Sequence, residues 1–173
     1  PAAVGFAKAS GIPYGDGLTK NRYVGRTFIA PSQTIRQLGI RMKLNPMRHQ
    51  IEGKRLVVVD DSIVRGNTMK QIVALLRSFG AIEVHLRITS PPVLWPCFLG
   101  IDIDNRAELI AAHKSVEEIC EYTGADSLAF ISLDGMVEAA NSPKESFCLG
   151  CFNGEYPVEI PEDLLRREGM LDD

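Results

Sequence analysis

The feature that most constrains the fold is a strand, a helix and a second strand within residues 55–89. Arg55 to Val59 carries valine at three successive positions, which predicts a buried strand. A helix is predicted from about Thr68 to Phe79, because apolar residues recur on one helical face. Glu83 to Thr89 alternates and predicts the next strand, which Pro91 and Pro92 end. Such a β-α-β unit indicates an α/β protein with a parallel sheet.

The same alternation continues along the middle of the chain. Glu118 stands three residues after Ser115, and this capping box predicts a helix from Val116 to about Thr123. Ser127 to Ser132 is short and apolar, which predicts another strand. Leu133 to Ala140 is then predicted to be helical. These elements extend the α/β pattern beyond the first unit.

We therefore expect a core over residues 1–141 and a C-terminal tail over residues 142–173 that packs on it, with a short charged helix near Glu162 to Glu168. A length of 173 residues suits one domain. The net charge of -3 gives no reason to expect nucleic acid, and the sequence holds neither a long apolar run nor a signal peptide, which favours the cytoplasm. Because the chain opens on Pro1 rather than Met, we expect it to be part of a longer protein.

Two adjacent acids, Asp60 and Asp61, end the first strand. Ligands of open α/β sheets bind beyond the carboxyl ends of the strands, where these acids lie. The loop from Ser62 to Asn67 then leads into a helix whose first amides and dipole favour a phosphate. Gly66 permits close approach of the backbone, while Ser62 and Thr68 add hydroxyl donors. The carboxylates would repel that anion, so they require ribose hydroxyls or a Mg²⁺ ion.

A phosphate on one side and a sugar diol on the other describe a ribose 5-phosphate. The run lacks the G-x-x-x-x-G-K-[ST] pattern of a P-loop, and no G-x-G-x-x-G pattern of a dinucleotide site follows the strand. The alternative is a solvated strand-to-helix turn that an Asp side chain caps. The run taken as a whole favours the ligand site.

The run from Val57 to Thr68 resembles the phosphoribosyl-pyrophosphate (PRPP) signature of the type I phosphoribosyltransferases. Further stretches are similar to one family with that fold, the glutamine PRPP amidotransferases. They are Lys20-Asn21-Arg22-Tyr23-Val24-Gly25-Arg26-Thr27-Phe28-Ile29, Ser90-Pro91-Pro92, Pro96-Cys97-Phe98, Gly100-Ile101-Asp102 and the segment from Cys148 to Pro157. The similarity covers essentially the whole chain. It implies a type I phosphoribosyltransferase fold, with a parallel sheet flanked by helices and an irregular C-terminal tail that bears cysteines.

The resemblance implies an amidophosphoribosyltransferase, a glycosyltransferase that makes 5-phosphoribosylamine from PRPP and glutamine-derived ammonia in the first committed step of de novo purine biosynthesis. Members join an N-terminal glutaminase domain to a phosphoribosyltransferase domain, and this chain resembles the second domain, truncated at its N-terminus. The implied partners are PRPP, ammonia and the glutaminase domain of the full-length protein, in a homo-oligomer without nucleic acid or membrane. Two alternatives stay open, a PRPP-sensing regulatory protein with the same fold and an inactive fragment.

The resemblance also implies the roles of individual residues. Asp60 and Asp61 would hold the ribose hydroxyls and Mg²⁺, and the segment from Lys20 to Leu44 would close over bound PRPP. The residues implied for the 5-phosphate are Ser62, Ile63, Val64, Arg65, Gly66, Asn67 and Thr68. Those implied in catalysis, besides the two acids, are Lys20, Tyr23, Arg26 and Lys43, with Arg26 and Lys43 on pyrophosphate and Tyr23 on the ammonia path. The alternative for the segment is a solvated basic loop.

Four cysteines are present, and Cys148 and Cys151 form a C-x-x-C pair whose two thiolates can ligate one metal or cluster. A redox dithiol is the other interpretation of that pair. One branch of the family carries a [4Fe–4S] cluster, and Cys97, Cys148 and Cys151 match three of its ligands, with the fourth expected upstream of Pro1. Cys120 is interpreted as a structural cysteine. A zinc site of four cysteines that includes Cys120 is the rival metal site.

Overall fold

A three-stranded parallel sheet is the centre of the computed structural model, which describes residues 1–21, 44–103 and 105–171. The strands are β1 (Leu18–Lys20), β2 (Leu44–Pro46), β3 (Arg55–Asp60), β4 (Glu83–Ile88) and β5 (Ser127–Phe130). The helices are α1 (Ala2–Ser10), α2 (Arg48–Ile51), α3 (Asn67–Ser78), α4 (Val116–Thr123), α5 (Leu133–Ala140), α6 (Gly150–Asn153) and α7 (Glu162–Arg167). Short 3-10 turns occur at Arg106–Glu108, Ile110–Ala112 and Lys144–Ser146. The prediction of an α/β fold with a parallel sheet is confirmed.

The sheet has the order β3-β4-β5, and β4 pairs in parallel with both neighbours. Parallel strands need crossover connections, which α3 supplies between β3 and β4, and α4 between β4 and β5. The capping box of α4 forms as predicted: the Glu118 amide donates to the Ser115 hydroxyl at 3.2 Å, and the Ser115 amide donates to the Glu118 carboxylate at 2.7 Å. The carboxyl ends of all three strands therefore lie at one edge of the sheet.

The core lies on one face of this sheet. Alternate residues of β4 (Val84, Leu86 and Ile88) are buried, and they belong to the same apolar cluster as the buried face of α3. The residues of α3 on that face are Met69, Ile72, Val73 and Leu76. Burial of a large aliphatic side chain contributes about 1.5–3 kcal/mol, so this face holds the site-bearing strands and helix together.

The prediction that β3 is a buried strand is wrong in the extent of burial, because no residue of β3 is fully buried. Its valines, Val57, Val58 and Val59, are half-buried. The reason is position, because β3 lies at an edge of the sheet in the described part of the chain, whereas β4 lies between two strands. Hydrophobic runs typical of central parallel strands are therefore found here on an edge strand.

A second, two-stranded sheet stands at the ends of the segment 22–43, which lies outside the described residues. β1 pairs antiparallel with β2, and Lys20 lies opposite Leu44 in the register. The two ends of that segment are thus joined directly by a strand pair. Within the described ranges, no helix has the length and apolar character needed to cross a bilayer.

Candidate phosphate and ribose site

The acidic pair lies at the carboxyl end of β3, where the sequence places it. The Asp61 amide donates to the Asp60 carboxylate at 3.0 Å, and the Thr89 amide donates to the Asp60 carbonyl at 2.9 Å. The second bond fixes the end of β3 to the end of β4. Asp60 is half-buried and Asp61 is exposed, so the pair presents one sheltered and one open carboxylate.

The pKa of the Asp60 carboxyl is raised above its ordinary value. Burial is the largest cause, and the negative charge of Asp61 also raises the pKa, while the hydrogen bond from the Asp61 amide opposes them. A carboxylate that is partly desolvated in this way gains from a partner that donates hydrogen bonds or carries positive charge. Ribose hydroxyls and Mg²⁺ are partners of these two kinds.

The loop after the acids turns sharply into α3. Gly66 stands at the N-cap position with φ +76°, a left-handed conformation that glycine adopts without a steric penalty. Because glycine has no side chain, no side-chain cap satisfies the first amides of α3 within the described part of the chain. These amides and the helix dipole suit an anion.

Ser62 connects the loop to the acidic pair, because its hydroxyl donates to the Asp61 carboxylate at 3.0 Å. Thr68 and Asn67 are exposed at the first turn of α3, whereas Ile63 is buried in the core and contributes only its backbone to the loop. The loop therefore exposes polar groups at one side and is anchored by an aliphatic side chain at the other.

Residues far along the chain contact the loop, and sequence reasoning does not find them. The Ile110 amide donates to the Val64 carbonyl at 2.9 Å, and Arg65 forms an ion pair with Glu108. The hydroxyl of Tyr122 donates to Asn67 Oδ1 at 2.7 Å. The one available signal is topological, because the segments after β4 and β3 emerge at the same edge of the sheet.

The other residues predicted to act on PRPP are only partly described. Lys20 is the last residue of β1. Tyr23, Arg26 and Lys43 lie outside the described residues. The closing segment and the pyrophosphate contacts stay predictions.

Cys151 lies near two of the other three cysteines, Cys97 and Cys148. Burial raises the pKa of the Cys151 thiol, and the nearby Cys97 and Cys148 raise it further. The amides of Leu94 and Trp95 donate to the Cys151 carbonyl at 2.9 and 3.1 Å, which fixes the tail beside the loop that carries Cys97. Among the described residues, however, no group of three or more His, Cys, Asp or Glu is gathered tightly enough to hold a metal ion.

Tyr156 packs beside these cysteines. A Cβ on Gly150 would overlap the Tyr156 ring, so only glycine fits at position 150 in this arrangement. The Tyr156 hydroxyl donates to the Pro96 carbonyl at 2.7 Å. Burial, followed by the neighbouring cysteines, raises the pKa of Tyr156 to about 12. Tyr156 thus links the C-x-x-C turn to the residue before Cys97.

Cys120 has different surroundings. Its thiol donates to the Ala125 carbonyl at 3.3 Å at the end of α4. Burial raises its pKa, and in the described chain the charges acting on it are those of Asp126, Arg87 and Glu117 rather than the other cysteines. This environment favours the interpretation of Cys120 as a structural residue.

The chain is similar in sequence to known phosphoribosyl transferases. A family model described as a phosphoribosyl transferase domain matches residues 8–89. The chain is 56% identical over 172 residues to the amidophosphoribosyltransferase of Synechococcus elongatus, covering 99% of the chain and 35% of that relative. It is 60% identical over 177 residues to that of Mycobacterium tuberculosis, covering 99% of the chain and 34% of the relative. The chain thus spans about a third of the length of these relatives.

Two solved structures share the fold. One is the glutamine PRPP amidotransferase from B. subtilis complexed with ADP and GMP, at a TM-score of 0.81 and 52% identity, covering 97% of this chain and 38% of that one. The other is described as the allosteric regulatory enzyme of purine biosynthesis, at a TM-score of 0.81 and 50% identity, covering 99% of this chain and 38% of that one. The acidic pair, the phosphate-type loop and the cysteine-bearing tail therefore stand on a known scaffold.

Proposed function

This chain is homologous to the phosphoribosyltransferase part of the amidophosphoribosyltransferases, and from that premise we propose that it forms the PRPP site of an enzyme that makes 5-phosphoribosylamine. The ammonia derives from glutamine on a glutaminase domain of the full-length protein. The observation that carries the proposal is the acidic pair of β3 beside the uncapped first turn of α3. The enzyme acts in the cytoplasm, in purine biosynthesis, as a homo-oligomer.

The loop from Ser62 to Thr68 holds the 5-phosphate. Amides at the first turn of α3 donate to the phosphate oxygens, and the exposed Thr68 adds its hydroxyl. Binding energy gained at this remote phosphate positions the anomeric carbon, which lies at the other end of the sugar. The loop therefore contributes to the reaction by orientation.

Asp60 and Asp61 hold the ribose hydroxyls, because carboxylates accept hydrogen bonds from a diol. Loss of pyrophosphate leaves positive charge on the ribose ring, and two carboxylates near that ring stabilise it. The oxygen donors also suit Mg²⁺, which supplies charge neutralisation for pyrophosphate when it is bound. Lys20, Tyr23, Arg26 and Lys43 complete the proposed site, with Arg26 and Lys43 on pyrophosphate and Tyr23 on the path of ammonia.

We further propose that Cys97, Cys148 and Cys151 are ligands of a [4Fe–4S] cluster. What supports this proposal is geometric, because Cys97 and Cys151 pack against the same apolar cluster of Val93, Ile103 and Leu109. Cys97 and Cys148 also raise the pKa of Cys151, whereas Cys120 has other neighbours. Three thiolates leave one cluster position for a ligand elsewhere in the full-length protein.

Isothermal titration of the full-length protein with ribose 5-phosphate and with PRPP, each with Mg²⁺, tests the site. Asp61→Asn is expected to weaken both ligands about 10-fold or more, because it removes a charged acceptor of hydrogen bonds. Asp163→Asn in α7 is the matched control, an exposed acid on another element, and is expected to bind as the wild type does. A wild-type protein that binds neither ligand would refute the proposed function.

A further inference from the structure

The proposed phosphate loop is held from one side by two distant segments. The 3-10 turns at Arg106–Glu108 and Ile110–Ala112 contribute Glu108 and Ile110, and α4 contributes Tyr122. All three residues contact the part of the loop from Val64 to Asn67.

Tyr122 packs against the backbone of Gly66, together with Ile110. A Cβ on Gly66 would lie 3.1 Å from Tyr122 Cε1 and 2.8 Å from Ile110 Cδ1, so the backbone of the loop rests directly on these two side chains. The ammonium of Lys70 lies 4.4 Å from the centroid of the Tyr122 ring, a cation–π contact. Its hydroxyl donates to Asn67 Oδ1, which orients the first residue of α3.

Arg65 contacts one of the same distant segments, the 3-10 turn at Arg106–Glu108. Its Nε donates to a carboxylate oxygen of Glu108, 43 residues along the chain. An Arg in a phosphate-binding loop is ordinarily assigned to the phosphate, because a guanidinium forms bidentate hydrogen bonds with phosphate oxygens. Here Nε of that guanidinium is instead paired with the Glu108 carboxylate.

We propose that Arg65, Glu108 and Tyr122 form a brace that holds the loop in its phosphate-binding shape, with Arg65 a positioning residue rather than a ligand of the phosphate. The inference rests on the proposed function, because it concerns how the same loop binds a 5-phosphate. The phosphate is then bound by backbone amides and hydroxyls, whose geometry depends on the brace.

A double-mutant cycle separates a brace from a ligand. The variants are Arg65→Gln, Glu108→Gln and the double variant, and the readout is the affinity of the full-length protein for ribose 5-phosphate. If Arg65 acts only through Glu108, each single variant weakens binding by about 2- to 5-fold, the range for a half-exposed ion pair, and the double variant is no weaker than either. Tyr122→Phe keeps the ring against Gly66, and its loss of one hydrogen bond is expected to weaken binding by about 2- to 10-fold.

Glu121→Gln is the matched control, because Glu121 is an exposed acid next to Tyr122 on α4. Hydrogen exchange in the unliganded protein is a second readout. We expect faster exchange in Glu108→Gln and Tyr122→Phe for the Lys70 amide, which donates to the Gly66 carbonyl, and for the Ile110 amide, which donates to the Val64 carbonyl. The amides of β4 should be unchanged, which a general loss of stability would not produce.

The outcomes are distinct. An Arg65→Gln variant that loses more than about 10-fold while Glu108→Gln binds as the wild type does would make Arg65 a direct ligand and overturn the brace. Additive losses, tighter binding by Glu108→Gln, or wild-type affinity in all variants would also overturn it. A wild-type protein without affinity for ribose 5-phosphate would refute the proposed function itself, and the brace with it.

Discussion

Substitution of Gly66 by alanine tests how tightly the proposed phosphate loop is packed. The residue has φ +76°, and an L-residue in this region costs roughly 1–2 kcal/mol. The added Cβ would also lie 2.8 Å from Ile110 Cδ1, and Ile110 is buried. Overpacking of this kind costs about 1–3 kcal/mol. We therefore expect Gly66→Ala to lower the free energy of unfolding by about 2–5 kcal/mol, the sum of the two contributions.

Gly53→Ala is the matched control, because Gly53 has φ +70° and a Cβ there would meet nothing within 4 Å. It should lose only the backbone contribution of roughly 1–2 kcal/mol and keep wild-type affinity for ribose 5-phosphate. Urea unfolding of both variants, with equal m-values, measures the difference, and titration with ribose 5-phosphate measures the effect on the loop. If Gly66→Ala loses no more stability than Gly53→Ala and binds normally, the loop does not rest on Ile110 and Tyr122 as described.

Three further predictions concern the acids and the cysteines. Burial raises the folded-state pKa of Asp60, so the cost of burying its charge is full at neutral pH and disappears as the pH falls through that pKa. Asp60→Asn should therefore have a higher free energy of unfolding than the wild type at pH 7 and an equal one near pH 3. Equal stability at pH 7 would contradict burial as the cause. Cys148→Ser should abolish iron in the full-length protein while Cys120→Ser retains it, as measured by iron and sulfide content per chain. Loss of iron in both variants would contradict the assignment of Cys120 as a structural residue. Gly150→Ala should displace the Tyr156 ring and reduce bound iron, whereas an unchanged iron content would show that the C-x-x-C turn tolerates a side chain.

The parts of the fold that could be predicted are those whose signals are local. The capping box of α4 satisfies backbone groups within three residues, and the period of α3 is set by its own apolar face. The acids and the start of α3 are consecutive in sequence, so their proximity in space needed no tertiary information. The register of β3 against β4 and the edge position of β3 depend on contacts between segments, and the expected burial of β3 was accordingly wrong in degree.

The candidate site divides in the same way. Asp60, Asp61 and the loop to Thr68 follow from one continuous run, whereas the ion pair of Arg65 joins residues 43 apart and the hydrogen bond from Tyr122 to Asn67 joins residues 55 apart. No periodicity or motif connects positions at such separations. Only the parallel arrangement of β3 and β4 brings the segments that follow them to one edge.

Hydrogen bonding and side-chain periodicity within a few residues encode the α/β pattern, the acidic pair and the glycine-bearing helix start, so the chain alone predicts them. Packing between distant segments selects which groups of that run are open to a ligand. It turned Arg65 toward Glu108, placed Tyr122 behind Gly66 and left the first amides of α3 without a side-chain cap in the described chain. The physical reason is that packing between distant segments fixes the direction of each side chain, and the direction of a charge decides whether it contacts a ligand or a neighbouring residue.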